Sequence, residues 1–324
     1  MNNPESVKLE VFTVVLKPVA DYPNNSFDDL IANIDGINPE DNRFGEFSKL
    51  FMNHIDLGYT EIRNKAFTLS TNIEDYGIDI NNHTIWGILK GGAKGNGKTK
   101  SPIINREYEE DLSGDVINDK YFFYLHFPLN CKWGYLFFQI YGGESIRNEF
   151  IQHITDLFKV NRCYNKAVCN PILPNSIRDE FKNNSRVVGL TYNTNILSSS
   201  MTEDREFVNI CANYNIEIII KPEGQNIIST ERIGIMDKIL SGINLNNLSL
   251  NQARKKRATL ENLTSGKTST FQLDGHDDVM PRIYLDGKVP IDVNGTPNFV
   301  NLKKYCDDLL RELVVEQYTR IERR

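Results

Sequence analysis

Alternating and continuous runs of apolar residues predict mostly β-strands in the first half of the chain. Val7 to Lys17 alternates apolar and polar side chains, which is typical of a half-buried strand, and His83 to Lys90 has a similar character. Two aromatic runs, Tyr121 to Phe127 and Tyr135 to Tyr141, flank a short turn. Aromatic residues favour pleated, buried surfaces, so these two runs predict a β-hairpin in the core of a sheet.

Apolar residues at helical spacing follow two serines that are well suited to begin a helix. Ser26 precedes Phe27 to Ile34, and Ser145 precedes Ile146 to Phe158. Together with the strands, these helices predict that residues 1–160 form one N-terminal domain, a mixed β-sheet with covering helices that includes the aromatic hairpin.

The second half of the chain predicts another α+β unit. Residues 161–186 are interpreted as a connecting segment and residues 187–324 as a C-terminal domain. Helices are predicted over 203–212 and 229–240, between short strands, and Phe299 to Glu322 predicts a long terminal helix. This mixture of hairpins with one or two crossovers favours the α+β class over a doubly wound sheet.

A glycine-rich segment, Gly92 to Thr99, matches the phosphate-loop pattern G-x-x-x-x-G-K-[ST] at every fixed position. In such a loop backbone amides cradle the phosphates, Lys98 would reach the outer phosphates and Thr99 would bind Mg²⁺. The loop must also open a helix, and Pro102 would interrupt that helix in its first turn. We therefore predict a flexible cationic loop between two strands. The alternative is a nucleotide-dependent or nuclease effector that uses this loop.

Other residues with catalytic or metal-binding chemistry are scattered. The five histidines and five cysteines show no metal-ligand spacing, so no metal site and no cofactor are predicted. No complete catalytic constellation is found in the sequence. The odd number of cysteines is typical of reduced thiols, and neither a signal peptide nor an apolar run of about 20 residues is found, so we expect a cytoplasmic protein.

Two groups of basic residues stand out in a chain whose formal net charge is −6. One group lies on the glycine-rich loop, and the other lies on a predicted hairpin formed by 254–262 and 268–273. The candidate nucleic-acid-binding residues are Lys90, Lys94, Lys98, Lys100, Arg254, Lys255, Lys256, Arg257 and Lys267. Such side chains suit contacts with backbone phosphates that carry no base information, although they are also typical of a merely solubilising surface.

The direction of the basic side chains on the predicted hairpin follows from strand geometry. Alternate residues of a strand share a face, so Arg254 and Lys256 would point to one side and Lys255 and Arg257 to the other. At least one of these pairs is expected to face solvent.

The order of elements after residue 187 resembles the RexA phage exclusion family and related prokaryotic antiviral proteins. The features that carry the resemblance are IEIIIKP (Ile216 to Pro222), the basic strand RKKRATLEN, the turn TSGK, the strand STFQLD (Ser269 to Asp274) and the terminal helix from Phe299. The aromatic hairpin and its following helix resemble the N-terminal part of such proteins.

The resemblance implies a homodimer that binds DNA with little sequence preference. It also implies that the protein senses phage replication and signals to a membrane-protein effector encoded nearby, in antiviral defence by abortive infection. It supplies no catalytic residues. The leading hypothesis is therefore a non-enzymatic sensor or adaptor, and a purely structural partner protein is a further possibility.

Overall fold

A computed structural model describes most of the chain. The described residues are 7–18, 26–32, 34, 37, 42–104, 107–141, 145–159, 164–197, 213–222, 237, 244–245, 248–249, 255–263, 266, 268–272 and 282–322. The helices predicted over 203–212 and 229–240 lie outside these residues, apart from Asp237.

The described strands, in chain order, are β1 (Lys8–Pro18), β2 (Thr60–Ile62), β3 (Lys65–Leu69), β4 (Tyr76–Asp79), β5 (Thr84–Ala93), β6 (Thr99–Lys100), β7 (Glu110–Asp111), β8 (Asp119–His126), β9 (Trp133–Ile140), β10 (Tyr164–Pro171), β11 (Ser185–Leu197), β12 (Asn213–Ile220), β13 (Asn244–Leu245), β14 (Leu248–Ser249), β15 (Lys255–Asn262), β16 (Thr268–Gln272) and β17 (Arg282–Tyr284). The described helices are α1 (Phe27–Ala32), α2 (Arg43–Asp56), α3 (Arg147–Lys159), α4 (Asn175–Asn183) and α5 (Phe299–Glu322).

The largest sheet contains nine of the described strands. The strands β10, β1, β9, β8, β5, β3 and β2 are neighbours in that order, while β17 pairs with β1 and β4 pairs with β5. All of these pairings are antiparallel. The described strands therefore form an antiparallel sheet, whereas the sequence predicted a mixed one. The predicted aromatic hairpin is confirmed as β8 and β9, in which Phe123 lies opposite Phe138 and Leu125 opposite Leu136.

Both faces of the central strands are buried, which explains their continuous aromatic runs. Tyr121, Phe123 and Leu125 of β8 belong to a core cluster with residues of α1, α2 and α3. Phe122 and Tyr124, which alternate with them, are equally buried on the opposite face. A sheet that is covered on both faces needs apolar residues at consecutive positions rather than at alternate ones.

The helices α1 and α3, which cover the sheet face of Phe123, begin close to Ser26 and Ser145, as the sequence predicted. The Ser26 hydroxyl accepts a hydrogen bond from the Asp29 amide at 3.1 Å, and the Ser145 hydroxyl accepts one from the Arg147 amide at 3.0 Å. The helices then pack aromatic side chains into the sheet. The Phe150 ring of α3 lies 5.0 Å from the Phe123 ring, measured between centroids. Capping satisfies amides that have no partner inside the helix.

The C-terminal helix α5 covers the opposite face of this sheet. The Phe299 ring stacks on the Phe122 ring with centroids 6.2 Å apart, and the Tyr135 hydroxyl donates a hydrogen bond to the Leu313 carbonyl at 3.2 Å. Leu302 and Cys306 of α5 are fully buried.

The compact units differ from the predicted domain boundaries of 1–160 and 187–324. One unit consists of residues 1–172 and 282–324, and the other of residues 173–281. Residues 282–324 move into the first unit because β17 pairs with β1 and α5 packs on the sheet. The predicted connecting segment 161–186 is divided between β10 of the first unit and α4 of the second.

The second unit contains a four-stranded antiparallel sheet in the order β12, β11, β15, β16. The predicted basic hairpin is confirmed as β15 and β16, and Gly266 in its turn has a left-handed φ of 65°. The α+β class is thereby confirmed for the molecule, with antiparallel sheets and a long helix at the C-terminus.

Candidate nucleic-acid interface and a histidine cleft

The glycine-rich segment 92–99 opens no helix. Strand β5 continues through Ala93, Lys94 forms a bridge with Val116, and a turn at Gly97 (φ 70°) leads into β6. The chain there forms a short hairpin, in which β6 pairs with β7, and no helix follows, as Pro102 predicted.

Three backbone amides of this segment, where a phosphate would be cradled, are already engaged. The amides of Lys94 and Gly95 donate to the carbonyls of Asn64 and Asp115, both at 2.9 Å, and the Lys98 amide donates to the Gly95 carbonyl at 2.8 Å. The glycines have a packing role instead. A Cβ atom on Gly92 would lie 1.9 Å from the Ile117 carbonyl oxygen, so close strand approach excludes any side chain there.

Carboxylates neutralise part of the positive charge on this loop. Lys94 forms an ion pair with Glu61, and Lys100 forms one with Glu110 at 3.1 Å, which raises the pKa of Lys100. Lys90 is half-buried on β5. Lys98 is exposed, and no ion pair of its side chain is found within the described part of the chain.

The second basic group lies on β15 and divides between the two faces of its sheet as strand geometry predicts. Lys256 is 7% exposed, and its Nζ lies 3.5 Å from the Asp237 carboxylate, which also accepts a hydrogen bond from the Tyr192 hydroxyl at 3.1 Å. Lys255 is exposed and Arg257 is half-buried on the other face. Arg254 and Lys267 lie outside the described residues.

The face that carries Lys255 and Arg257 is mostly polar, although it also carries the exposed Ile219, which lies opposite Thr191 on β12. Strand register places Asn193 beside Lys255 and Thr191 beside Arg257. The hydroxyls of Thr259 and Thr270 share a hydrogen bond of 3.2 Å across the neighbouring strand pair.

Two carboxylates lie on the same face. Glu261 forms an ion pair with Arg186 at 2.7 Å, and the exposed Glu217 lies opposite Asn193 on β12. No ion pair of Lys255 or Arg257 is found among the described residues.

A cleft of about 510 Å³ lies within the first unit, between the turn before β5, the end of β8 and helix α5. Its lining residues are Asp79, Asn82, His83, Tyr124, His126, Pro128, Asn130, Lys303, Asp307, Leu310, Arg311 and Val314. Lys303, Asp307, Leu310 and Val314 of α5 recur three or four positions apart and Arg311 adjoins Leu310, so one stripe of the helix forms one wall.

Two neutral histidines lie at the sheet side of this cleft. The Nδ1 atom of His126 is 3.0 Å from the Asn82 carbonyl oxygen, which can only accept, so Nδ1 carries the proton and Nε2 is an acceptor. Burial lowers the pKa of His126 to about 4, and burial also lowers the pKa of His83. Both rings are therefore uncharged at neutral pH.

The backbone of His83 is held in the left-handed region at φ 50°. Its carbonyl accepts a hydrogen bond from the Phe127 amide at 3.0 Å, and its ring packs edge-on against Phe44. A left-handed non-glycine residue costs on the order of 1 kcal/mol or more, and such residues concentrate at functional sites.

A chain of polar groups connects the floor of the cleft to helix α5. The Tyr124 hydroxyl donates to one carboxylate oxygen of Asp307 at 2.8 Å, and the Lys303 ammonium donates to the other at 2.8 Å. Burial raises the pKa of Tyr124, so its phenol remains protonated. Asp79 is held in a similar way, because hydrogen bonds from Asn82 lower its pKa.

This cleft is not apparent from the sequence, in which the histidines are scattered. The tertiary structure brings His83 and His126 together with a helix that lies 177 or more positions further along the chain. The stripe Lys303, Asp307 and Arg311 was the available signal, since charged residues interrupt the otherwise apolar side of α5.

Groups of three or more residues able to hold a metal ion are absent from the described residues, and no described helix is both long and apolar enough to cross a membrane. No protein-family model, curated protein or solved structure matches the chain.

Proposed function

We propose that this protein is a non-enzymatic phage-defence sensor or adaptor that binds DNA with little sequence preference. The observation that carries the proposal is the polar sheet face of the second unit, where Lys255 and Arg257 lie beside Asn193 and Thr191. In this proposal the protein acts in the cytoplasm as a homodimer and signals to a membrane-protein effector, as the resemblance to the RexA family implies.

The chemistry of this sheet face suits contacts with a phosphate backbone. Lysine and arginine neutralise phosphates, and threonine and asparagine side chains donate hydrogen bonds to phosphate oxygens. None of these contacts depends on base identity, so binding is expected to tolerate any duplex sequence. Because Glu217 and Glu261 lie on the same face, the affinity is expected to be modest and strongly dependent on salt.

The glycine-rich loop has a smaller place in this proposal. Lys94 and Lys100 would have to leave their carboxylate partners before they could bind phosphate, which offsets part of the gain. Lys98 and Lys90 carry no such cost, and we assign them auxiliary contacts.

The direct test is a fluorescence anisotropy titration with two unrelated duplexes of about 25 base pairs at about 50 and 200 mM salt. We expect similar affinities for both duplexes and a steep loss of affinity at the higher salt. Changing Lys255 and Arg257 to glutamine should reduce the slope of log affinity against log salt by roughly 2 per protomer, because each lost phosphate contact contributes about 0.9.

The matched control changes Lys132 and Lys304 to glutamine, because both residues are exposed and lie in the first unit. It removes the same charge and should leave the salt slope unchanged. Binding that is insensitive to salt, or an equal loss in both double variants, would contradict the proposed interface.

The homodimer and the effector have separate tests. Sedimentation velocity should give a species of twice the chain mass without DNA, and of that mass plus the mass of one duplex when DNA is bound. Affinity purification from the native host should retain a membrane protein encoded beside this chain. A monomer at all concentrations would remove the dimer from the proposal.

A further inference from the structure

The histidine cleft of the first unit combines a flat, uncharged floor with charged groups at its rim. His83, His126 and Pro128 provide planar or apolar surfaces on the sheet side, while Leu310 and Val314 provide an apolar strip on α5. The cleft volume of about 510 Å³ lies within the range of ligand sites, which is roughly 300–1,000 Å³. It is large enough for one small molecule and too small for a folded partner.

The floor is suited to a nitrogen heterocycle with N–H donors. Neutral imidazole rings stack on aromatic ligands, and the unprotonated Nε2 atom of His126 accepts a hydrogen bond. The side-chain nitrogen of Asn82 donates a hydrogen bond to the Asp79 carboxylate at 2.7 Å. The side-chain oxygen of Asn82 is therefore a second acceptor at the same wall. Acceptors beside a stacking surface match the amino and ring N–H groups of a nucleobase.

The rim supplies one cation whose donors are largely unused. Arg311 donates one N–H to Asp308 at 3.1 Å, and its side chain is 76% exposed. The remaining N–H groups of its guanidinium can bind two oxygens of a phosphate at once. Lys303 is less available because Asp307 holds it at 2.8 Å.

The charges of the cleft limit how many phosphates the ligand can carry. The cations Lys303 and Arg311 are balanced by the carboxylates Asp79 and Asp307. A balanced site offers no long-range attraction to a polyanion, whereas a single phosphate can still be contacted directly by the guanidinium of Arg311. Lys303 and Arg311 are eight positions apart along α5, which corresponds to a rise of about 12 Å. This length accommodates a base and a sugar phosphate end to end.

We propose that this cleft binds a nucleoside monophosphate, with the base on the His83 and His126 side and the phosphate on Arg311. This inference is independent of DNA binding by the second unit.

The test is isothermal titration calorimetry of the full chain with the four common ribonucleoside monophosphates. We expect at least one of them to bind with one site per chain. The matching nucleoside and ribose 5-phosphate should each bind at least about tenfold more weakly, because each retains only half of the recognised groups. The matching triphosphate should also bind more weakly than the monophosphate.

Three variants connect the binding to the cleft. Arg311→Gln should weaken the monophosphate by about tenfold or more and leave the nucleoside unaffected. Lys304→Gln is the matched control, since Lys304 is an exposed cation on the same helix that does not line the cleft. Val314→Trp should fill the apolar strip and abolish binding while the protein remains folded.

Specific results would overturn the proposal. These are the absence of binding by all four monophosphates, or equal affinity for ribose 5-phosphate. Equal losses in Arg311→Gln and Lys304→Gln would overturn it too. Since Lys255 and Arg257 lie in the other unit, the DNA titration of the Arg311→Gln variant should match that of the unchanged protein.

Discussion

The two main sheets of this protein differ in how many of their faces are covered. The nine-stranded sheet of the first unit is buried on both faces, by α1, α2 and α3 on one and by α5 on the other. In the second unit, β15 buries Lys256, Ala258 and Leu260 and leaves the alternate positions partly exposed. The first sheet therefore forms a large hydrophobic core, and the second leaves a mostly polar face partly exposed.

The same difference explains where charge is tolerated. Glu10 and Glu149 of the first unit are buried and rely on basic partners, Arg147 and Lys65. A buried charge without a partner is strongly unfavourable, so these pairs are needed for folding. On the open face of the second sheet a charge remains hydrated, and its removal costs the fold little.

The largest expected effect comes from an aromatic residue of the doubly covered sheet. Phe123→Ala should lower the free energy of unfolding by about 3–5 kcal/mol, because the ring is fully buried between Phe51 and Phe150. Thr259→Ala on the open face should cost within about 1 kcal/mol. Both tryptophans, Trp86 and Trp133, belong to the first unit, so their fluorescence during urea unfolding reports on that unit.

Far-ultraviolet circular dichroism provides the readout for Thr259→Ala, which lies in the unit without tryptophan. Equal shifts of the unfolding midpoint in Phe123→Ala and Thr259→Ala would contradict the difference in stability expected between the covered sheet and the open one.

A smaller but still large effect is expected when a buried carboxylate loses its partner. Arg147→Met should cost about 3 kcal/mol, because Glu10 is 4% exposed and its buried carboxylate would lose the ion pair with Arg147. Lys49→Met is the matched control, since its pair with Glu46 is exposed and should contribute less than about 1 kcal/mol. Urea unfolding followed by fluorescence measures both changes. If the double change Glu10→Gln with Arg147→Met were no more stable than Arg147→Met alone, the buried charge of Glu10 would not be the cause.

The smallest of these effects depends on pH. Burial lowers the pKa of His153 to about 4, against an ordinary value of 6.5, and its Nε2 atom has no hydrogen-bond partner among the described residues. The unfolded chain binds a proton near pH 6.5 while the folded chain does not, so the stability present above that pH is lost as the pH falls toward 4. His126 contributes in the same direction.

His153→Leu should therefore reduce the loss of stability between pH 7 and about 4.5 by about 1–2 kcal/mol. Unfolding by urea at several pH values, followed by tryptophan fluorescence, gives the comparison. His54→Leu is the control, because His54 is exposed. A variant that loses as much stability as the unchanged chain would show that protonation of His153 does not limit acid stability.

Local sequence signals anticipated a good part of the fold. The aromatic runs predicted β8 and β9, the serines at positions 26 and 145 predicted two helix starts, and Pro102 predicted that the phosphate-loop match would open no helix. Alternation along β15 predicted that Lys255 and Arg257 would face away from Lys256. Each of these outcomes depends on residues that are close together in the chain.

Long-range outcomes were not predicted. The terminal helix was assigned to the second domain, although its apolar side packs on the first sheet, and the glycines of the phosphate-loop match are required by the approach of Ile117 and Leu112. Hydrophobic periodicity identifies a buried face without identifying the surface that covers it, which explains these differences.

The sequence by itself determined the α+β fold class, most of the described strands and helices, and which side chains of the basic strand share a face. Only the tertiary structure decided that Lys94, Lys100 and Lys256 are paired with carboxylates, and that His83 and His126 meet helix α5 around one cleft. The physical reason is that backbone propensity and side-chain alternation act over a few residues. Ion pairs and clefts arise where distant segments are brought together by the burial of apolar surface.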